Sequence, residues 1–387
     1  MSRPLSVFIL AGEHSGDQLG FKLMRALRDL HPGDLYIRGV GGPRMEGEGL
    51  QSLFPMDDIA VMGIGPVIGR LPLLLRRIRE TADAIVADPP NVLVIIDSPD
   101  FTHRVARRVR QKLPNLPIVD YVSPTVWAWR PGRAKKMRAY VDHVLALLPF
   151  EPAAHRRLGG PDCSYVGHPL VERLDEFRPA PGERAAISDE VRLLVLPGSR
   201  LSVVRRHMDL FGNVVARLAE QHPALKITLP TVGHIAQEIE ALSVKWKVRP
   251  EIVIGEDEKL RAMRRANAAL ASSGTVTLEL AVSGIPHVGA YRIDGVVRLL
   301  RPFVKLTAQH ILLPNLILDR RVIPEFVAEE ANAENLYAAL LPLFSDTPER
   351  RLQEAGLAEL DERMRVPDAP SRVAARVVLD CADKGRM

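Results

Sequence analysis

Short runs in which nearly every residue is apolar alternate along this chain with longer stretches of helical periodicity. Val92–Ile96 reads VLVII, and Ser6–Leu10, Ile118–Val122 and His143–Leu148 are also rich in Val, Ile and Leu. A second series follows: Val191–Leu196, Lys226–Leu229, Glu251–Ile254, Ala268–Ala271 and His287–Ala290. Runs apolar on successive residues are expected of parallel strands buried on both faces. Between them, Asp17–Leu30, Phe101–Leu113, Val204–Gln221 and Thr275–Val282 repeat apolar residues at helical spacing. Strand–helix alternation predicts βαβ units and an α/β fold with doubly wound sheets. The alternation occurs twice, separated by the Pro- and charge-rich stretch Leu174–Asp189, which reads as a linker. The expected organisation is an N-terminal Rossmann-like domain over 1–178 and a second over 190–345, facing a cleft. C-terminal helices over 346–387 are expected to pack back on the first domain.

Length agrees with this division. The 387 residues suit two domains at about 100–200 residues each. Lys and Arg outnumber Asp and Glu by 52 to 47, a net charge of +5. That admits anionic partners and does not single out nucleic acid. Two distant cysteines, Cys163 and Cys381, exclude a disulfide scaffold and a Cys-rich zinc site. The most apolar stretch, Ile59–Leu75, is broken by Pro66, Arg70 and Pro72 and is too short to span a bilayer. The N-terminal apolar run reads as a core strand, not a signal peptide.

Doubly wound sheets bind ligands beyond the carboxyl ends of their strands, so the residues there carry the candidate chemistry. After the first strand comes Gly12-Glu13-His14-Ser15-Gly16-Asp17. Its glycine spacing is neither the dinucleotide fingerprint nor a P-loop. Glu13 and His14 stand where a substrate would be met, while Asp17 or Ser15 suits an N-cap. Asp97 ends the apolar run Val92–Ile96 and is the candidate general base. After Ile118–Val122 a Pro-bounded loop holds Ser123, Trp127 and Trp129, followed by Arg130, Arg133, Lys135, Lys136 and Arg138. Aromatics beside basic residues suit an anionic amphiphile or a membrane interface, as does Ile59–Leu75 with Met62, Arg70, Arg76, Arg77 and Arg79 around it. In the second half, Gly198-Ser199-Arg200 and Ser272-Ser273-Gly274-Thr275 are strand-to-helix turns with free backbone N–H groups. Arg200 adds a fixed positive fork. Two such turns suggest a diphosphate, and Glu279 is placed to accept from ribose hydroxyls.

Read together, these motifs resemble one family. Ala11–Asp17, Gly41–Met45 (GGPRM), Val61–Ile64, Ile96–Phe101 (IDSPDF), Tyr121–Trp129 (YVSPTVWAW) and Leu148–Glu151 (LPFE) run in order. Val166–His168, Leu196–Arg200 (LPGSR), Ala271–Glu279, Gly289–Arg292 and Leu313–Leu316 (LPNL) continue the series. The chain resembles the lipid-A-disaccharide synthase family of inverting glycosyltransferases, whose fold is GT-B. The resemblance implies transfer of a diacylglucosamine from UDP-2,3-diacylglucosamine to the 6-hydroxyl of 2,3-diacylglucosamine 1-phosphate (lipid X). UDP is released.

The resemblance also implies a peripheral protein on the cytoplasmic face of the inner membrane, in contact with anionic lipids. It calls for no cofactor and no nucleic acid, and a homodimer is left open. Asp97, Glu13 and His14 are the expected catalytic set. Gly198, Ser199, Arg200, Ser272, Ser273, Gly274, Thr275, Glu279 and Asn315 are expected on the donor. Gly16, Ser123, Trp127, Trp129, Met62, Arg70 and Arg76 are expected on the acceptor and its acyl chains. No Asp-x-Asp occurs, which fits a metal-independent transfer with cation and helix start at the diphosphate.

The family usually has an acid three residues after LPGSR, where this chain has Val203. Rivals within the fold are a peptidoglycan N-acetylglucosaminyltransferase or a UDP-sugar 2-epimerase. A rival of another class is a non-catalytic inner-membrane lipid-binding protein. Neither Asp97 nor the paired phosphate turns has a purpose in that last reading.

Overall fold

A computed structural model describes residues 4–60, 64–187, 190–292 and 309–385, without the side chains of 64–68. Two compact units account for it. The first comprises residues 1–172 and 366–387, the second 173–365.

The first unit holds a parallel six-stranded sheet of order β2-β1-β3-β4-β5-β6. Its strands are β1 (Leu5–Ala11), β2 (Leu35–Val40), β3 (Val92–Ile96), β4 (Ile118–Tyr121), β5 (His143–Ala146) and β6 (Asp162–Tyr165). All five residues of β3 are buried, because helices cover both faces of the sheet. One face carries the helices Ile64–Ala87 and Thr102–Lys112, with Ile78, Ile85, Val105 and Val109 in the core. The other carries His14–Leu30, which packs against the C-terminal helix Pro370–Lys384.

The second unit has the order β12-β11-β10-β7-β8-β9. The strands are β7 (Arg192–Leu196), β8 (Lys226–Thr231), β9 (Glu251–Ile254), β10 (Ala268–Ser272), β11 (His287–Tyr291) and β12 (Glu325–Val327). Two boundaries differ from the sequence reading. The helix Pro348–Met364 belongs to the second unit, and only the helix Pro370–Lys384 returns to the first. The stretch 174–187 is not a free linker. Arg184 donates to the carbonyls of Ser283 and Gly284 at 2.9 and 3.0 Å, and Glu183 pairs with Arg264 at 2.8 Å. Those bonds fasten it to the second unit.

Candidate functional site

In the first sheet the strand order reverses between β1 and β3, the switch point where ligands of such sheets gather. The register sets Ala11 beside Ile96, so the turns beginning at Gly12 and Asp97 emerge side by side. A Cβ on Gly12 would stand 2.4 Å from Cβ of Ser98. Only glycine admits that approach. Asp97 and Ser98 both adopt left-handed backbone, with φ of 52° and 44°, a conformation that costs of order 1–3 kcal/mol per residue. The surroundings hold it. The Asp97 amide donates to Tyr121 O at 3.1 Å, and Thr102 Oγ1 donates to Asp97 O at 2.7 Å. The carboxylate accepts from Ser98 N at 2.7 Å and from Ser15 Oγ at 3.2 Å. It is half-buried, so lone pairs remain for a ligand.

Glu13 is half-buried and precedes the helix His14–Leu30, while His14 and Ser15 are exposed in its first turn. Gly16 is buried against Ile96, its Cβ position 3.4 Å from Ile96 O. The structure thus gathers Glu13, His14, Ser15 and Asp97 at one sheet end. Asp17 serves otherwise. Its carboxylate is 3% exposed and accepts from Gly42 N, Arg44 N and Met45 N at 2.9, 3.0 and 3.0 Å. It therefore caps the helix Pro43–Gly47 of a distant motif, not its own helix.

Beyond β4 the loop starts under strain, with Val122 at φ 92°, where a β-branched residue is rarely found. Ser123 corrects an expectation. It faces the interior, its Oγ 2.8 Å from His155 Nε2 and donating to Pro124 O. Trp127 is half-buried and donates to Glu151 Oε1 at 3.1 Å. Trp129 is 40% exposed with the Arg130 guanidinium 4.3 Å above its ring. Glu151, the last residue of LPFE, went without a role in the sequence reading because burial is invisible there. Beneath the loop, Asp120 is fully buried beside His103 Nε2 at 3.2 Å, and His103 Nδ1 meets Tyr140 Oη at 3.1 Å.

The apolar segment splits in two. Met62 lies outside the described residues. The helix Ile64–Ala87 buries Ile78, Ala82 and Ile85 and exposes Leu71 and Leu75 at 47% and 38%. Arg70 and Arg76 are exposed on the same half, Arg70 donating to Asp57 O at 3.2 Å. Arg77 is spent inward on Asp58, Glu80 and the Phe54 ring. No helix among the described residues is long and apolar enough to cross a membrane.

In the second sheet the order reverses between β7 and β10, and Leu196 lies beside Ala271. The two glycine turns therefore emerge together. Gly198 adopts φ 122°, and a Cβ there would meet Val203 Cγ1 at 2.8 Å and Ser272 Oγ at 3.3 Å. Val203, in place of the usual acid, packs beneath this turn. Ser199 and Arg200 are exposed, and Arg200 has no side-chain partner among the described residues. Ser272 is buried, and Ser273 is fixed by its amide to Ala290 O at 2.9 Å. Gly274 and Thr275 are exposed before the helix Val276–Val282. Glu279 is half-buried and bound by Lys259 at 3.1 Å.

Asn315 does not join this group. It is fully buried, accepts from Val322 N and Ile323 N at 3.0 and 2.9 Å, and donates to Ile323 O at 2.8 Å. Its side chain closes a turn, which withdraws it from the expected donor contacts. Among the described residues no group of three or more His, Cys, Asp or Glu is arranged to hold a metal ion.

The comparisons with known proteins agree with this layout. A family model described as Lipid-A-disaccharide synthetase matches residues 7–372. A lipid-A-disaccharide synthase of Rhodopseudomonas palustris is 51% identical, over 98% of this chain and 96% of its own. One of Bradyrhizobium diazoefficiens is 50% identical over 98% and 97%. Among solved structures, a kitacinnamycin glycosyltransferase superposes with TM-score 0.64 at 15% identity, covering 98% of this chain and 100% of its own. A Staphylococcus aureus MnaA–UDP structure gives 0.63 at 13%, covering 96% and 95%. At such identities these two bear on the fold alone, which is GT-B.

Proposed function

Because the chain belongs to the lipid-A-disaccharide synthase family, we propose a division of labour in which its first unit activates a lipid acceptor and its second holds the UDP-sugar. The chain is a glycosyltransferase of lipid A biosynthesis. The substrates we assign are UDP-2,3-diacylglucosamine as donor and 2,3-diacylglucosamine 1-phosphate as acceptor.

Asp97 takes the proton of the acceptor 6-hydroxyl as the oxygen attacks C1 of the donor sugar. The C1–O bond to the diphosphate breaks on the opposite face, so the α-linked donor gives a β-linked product and UDP. Arg200 and the turns 198–200 and 272–275 bind the departing diphosphate, where fixed donors act against developing charge. Glu279, held by Lys259, receives the ribose hydroxyls. Glu13 and His14 orient the acceptor.

The observation that carries this reading is the Asp97 carboxylate at the switch point of the first sheet. It is braced by Ser15 and Ser98 and half-open to solvent. Leu71, Leu75, Arg70 and Arg76 support contact with the anionic inner face of the inner membrane, where the acyl chains of both substrates reside. UDP release from purified protein tests the function. It should require donor and acceptor together. Release from the donor alone, at the rate seen with acceptor, would overturn the assignment.

A further inference from the structure

The loop 123–129 is tied down by a carboxyl group that takes no part in the chemistry. Glu151 opens the helix Glu151–Arg157 after β5 and is 3% exposed. Its Oε1 accepts the indole N–H of Trp127 at 3.1 Å, and its Oε2 accepts the Leu148 amide at 3.0 Å. One side chain thus joins the loop after β4 to the loop after β5. Trp127 also meets the Phe150 ring edge-on, with centroids 5.1 Å apart.

The clamp depends on ionisation. The indole and the Leu148 amide sit on different oxygens, the Leu147 amide also bonds the group, and only the carboxylate accepts strongly at both oxygens. Protonation turns one oxygen into a donor and a much weaker acceptor, so the N–H on that oxygen loses most of its bond. Burial, resisted by these hydrogen bonds and reinforced by the charge of Asp120, raises the Glu151 pKa to about 7. The other titratable groups around it are Cys163 and Tyr165 on β6 and His155 on its own helix. Burial keeps the thiol and the phenol protonated and the imidazole neutral. His103 stands behind Asp120.

We propose that Glu151 is a positioning residue for the acceptor: its carboxylate clamps the Trp127 indole to the Leu148 amide and so holds the loop 123–129 in the shape that receives the acceptor sugar. This rests on the reading of that loop as an acceptor element. Acidification below neutrality weakens one end of the clamp and with it acceptor binding, while the donor turns, carried by other strands, do not depend on this clamp.

Tryptophan emission of the full chain, followed from about pH 5.5 to about pH 8.5 across the range of a near-neutral carboxyl, reads the clamp directly. Separate Michaelis constants for donor and acceptor at the alkaline end read its effect. The wild type should show an emission transition near pH 7 that Glu151→Gln and Trp127→Phe both lack. Each variant should raise the acceptor KM about tenfold, the scale of one lost charge-assisted hydrogen bond, with the donor KM kept. The double variant should be no worse than either single one. Trp127→Phe leaves the Glu151–Leu148 bond intact and carries the test if Glu151→Gln does not fold. A transition that persists in Trp127→Phe overturns the clamp. Donor and acceptor KM rising together with a lower melting temperature would show a merely structural role. A lost transition with an unchanged acceptor KM would show that the clamp exists but the loop does not receive the acceptor, which also overturns the proposal.

Discussion

The hydroxyl of Ser15 donates to Oδ2 of Asp97 across 3.2 Å, and in doing so it bridges the ends of β1 and β3. The bond orients a carboxylate whose backbone is already locked in a left-handed turn. With Asp97 as the proposed base, Asp97→Asn keeps the shape and removes the proton acceptor, so turnover should fall by about 10²–10⁴-fold with UDP affinity intact. Ser15→Ala should cost about tenfold, since the carboxylate keeps its bond from Ser98. Glu13→Gln, measured alongside, tests the competing base. If Glu13→Gln abolishes turnover while Asp97→Asn leaves it near normal, the roles are reversed.

Arg200 stands at the start of the helix Leu201–Gln221 with its guanidinium unpartnered among the described residues. In the proposed function it meets the donor diphosphate. Arg200→Ala should weaken UDP by about 1.5–3 kcal/mol, the range for a hydrogen bond to a charged group. Titration calorimetry with UDP alone measures it. Unchanged affinity would remove Arg200 from the donor site.

Much of this architecture is legible in the sequence, for a physical reason. β3 and β10 are buried on every residue, and VLVII and the first four residues of β10, 268–271, read as unbroken apolar runs. The strands the pattern does not reveal, β2, β6 and β12, all lie at sheet edges. There one side is open and polar residues such as Arg38, Asp162 and Ser164 are tolerated. Candidate residues at strand ends were legible because topology alone brings those ends together. Side-chain direction was not. Ser123 and Asn315 sit in the expected motifs and turn inward, and Glu151 became visible only through its burial and partners.

Asp17 shows how a motif residue serves another motif. Its buried carboxylate receives three backbone N–H groups from Gly42, Arg44 and Met45. In Asp17→Asn one oxygen becomes an NH₂ group facing an N–H, so at least one bond becomes a clash of donors. Chemical denaturation should show a loss of about 1.5–3 kcal/mol, the scale of a charged hydrogen bond with one partner left buried. A change below about 0.5 kcal/mol, the range of an ordinary surface substitution, would mean that the turn at 41–45 does not depend on this cap.

The exposed half of the helix Ile64–Ala87 presents Leu71 and Leu75 with Arg70, Arg76 and Arg79 around them. Sedimentation with vesicles should show more binding to anionic than to neutral lipid, and less as salt rises, because the basic groups act through a screened surface potential. Leu71→Ser with Leu75→Ser should reduce binding to both kinds of vesicle, whereas Arg76→Gln with Arg79→Gln should reduce only the anionic preference. Equal binding of the wild type to both lipids would show that the arginines are irrelevant.

Two buried histidines of the second unit make it sensitive to acid. His287 opens β11 fully buried, and burial pushes its pKa down to about 4 although its Nδ1 lies 2.8 Å from Ile285 O. His207 is 1% exposed on the helix that follows the LPGSR turn. Its Nδ1–H donates to Val203 O at 2.8 Å and its Nε2 accepts from the Arg292 amide at 3.3 Å. Burial and the charges of Arg292 and Arg206 lower its pKa, against the pull of Val203 O. Both groups bind a proton more readily unfolded, where the usual value is 6.5, than folded. Their neutral forms therefore contribute stability that is fully present above about pH 6.5 and is lost as pH falls below it, for His287 through about 4. For His207 the loss has a structural site, since a second N–H on the ring would face the N–H of Arg292. Melting temperature should fall between pH 7 and pH 4, and UDP affinity should fall with it as the end of β11 parts from the helix Leu201–Gln221. His207→Gln can still offer an oxygen to Arg292 and carries no titrating group. It should bind UDP at pH 7 and lose less affinity than the wild type at pH 5. An equal loss in both proteins would place the acid sensitivity elsewhere.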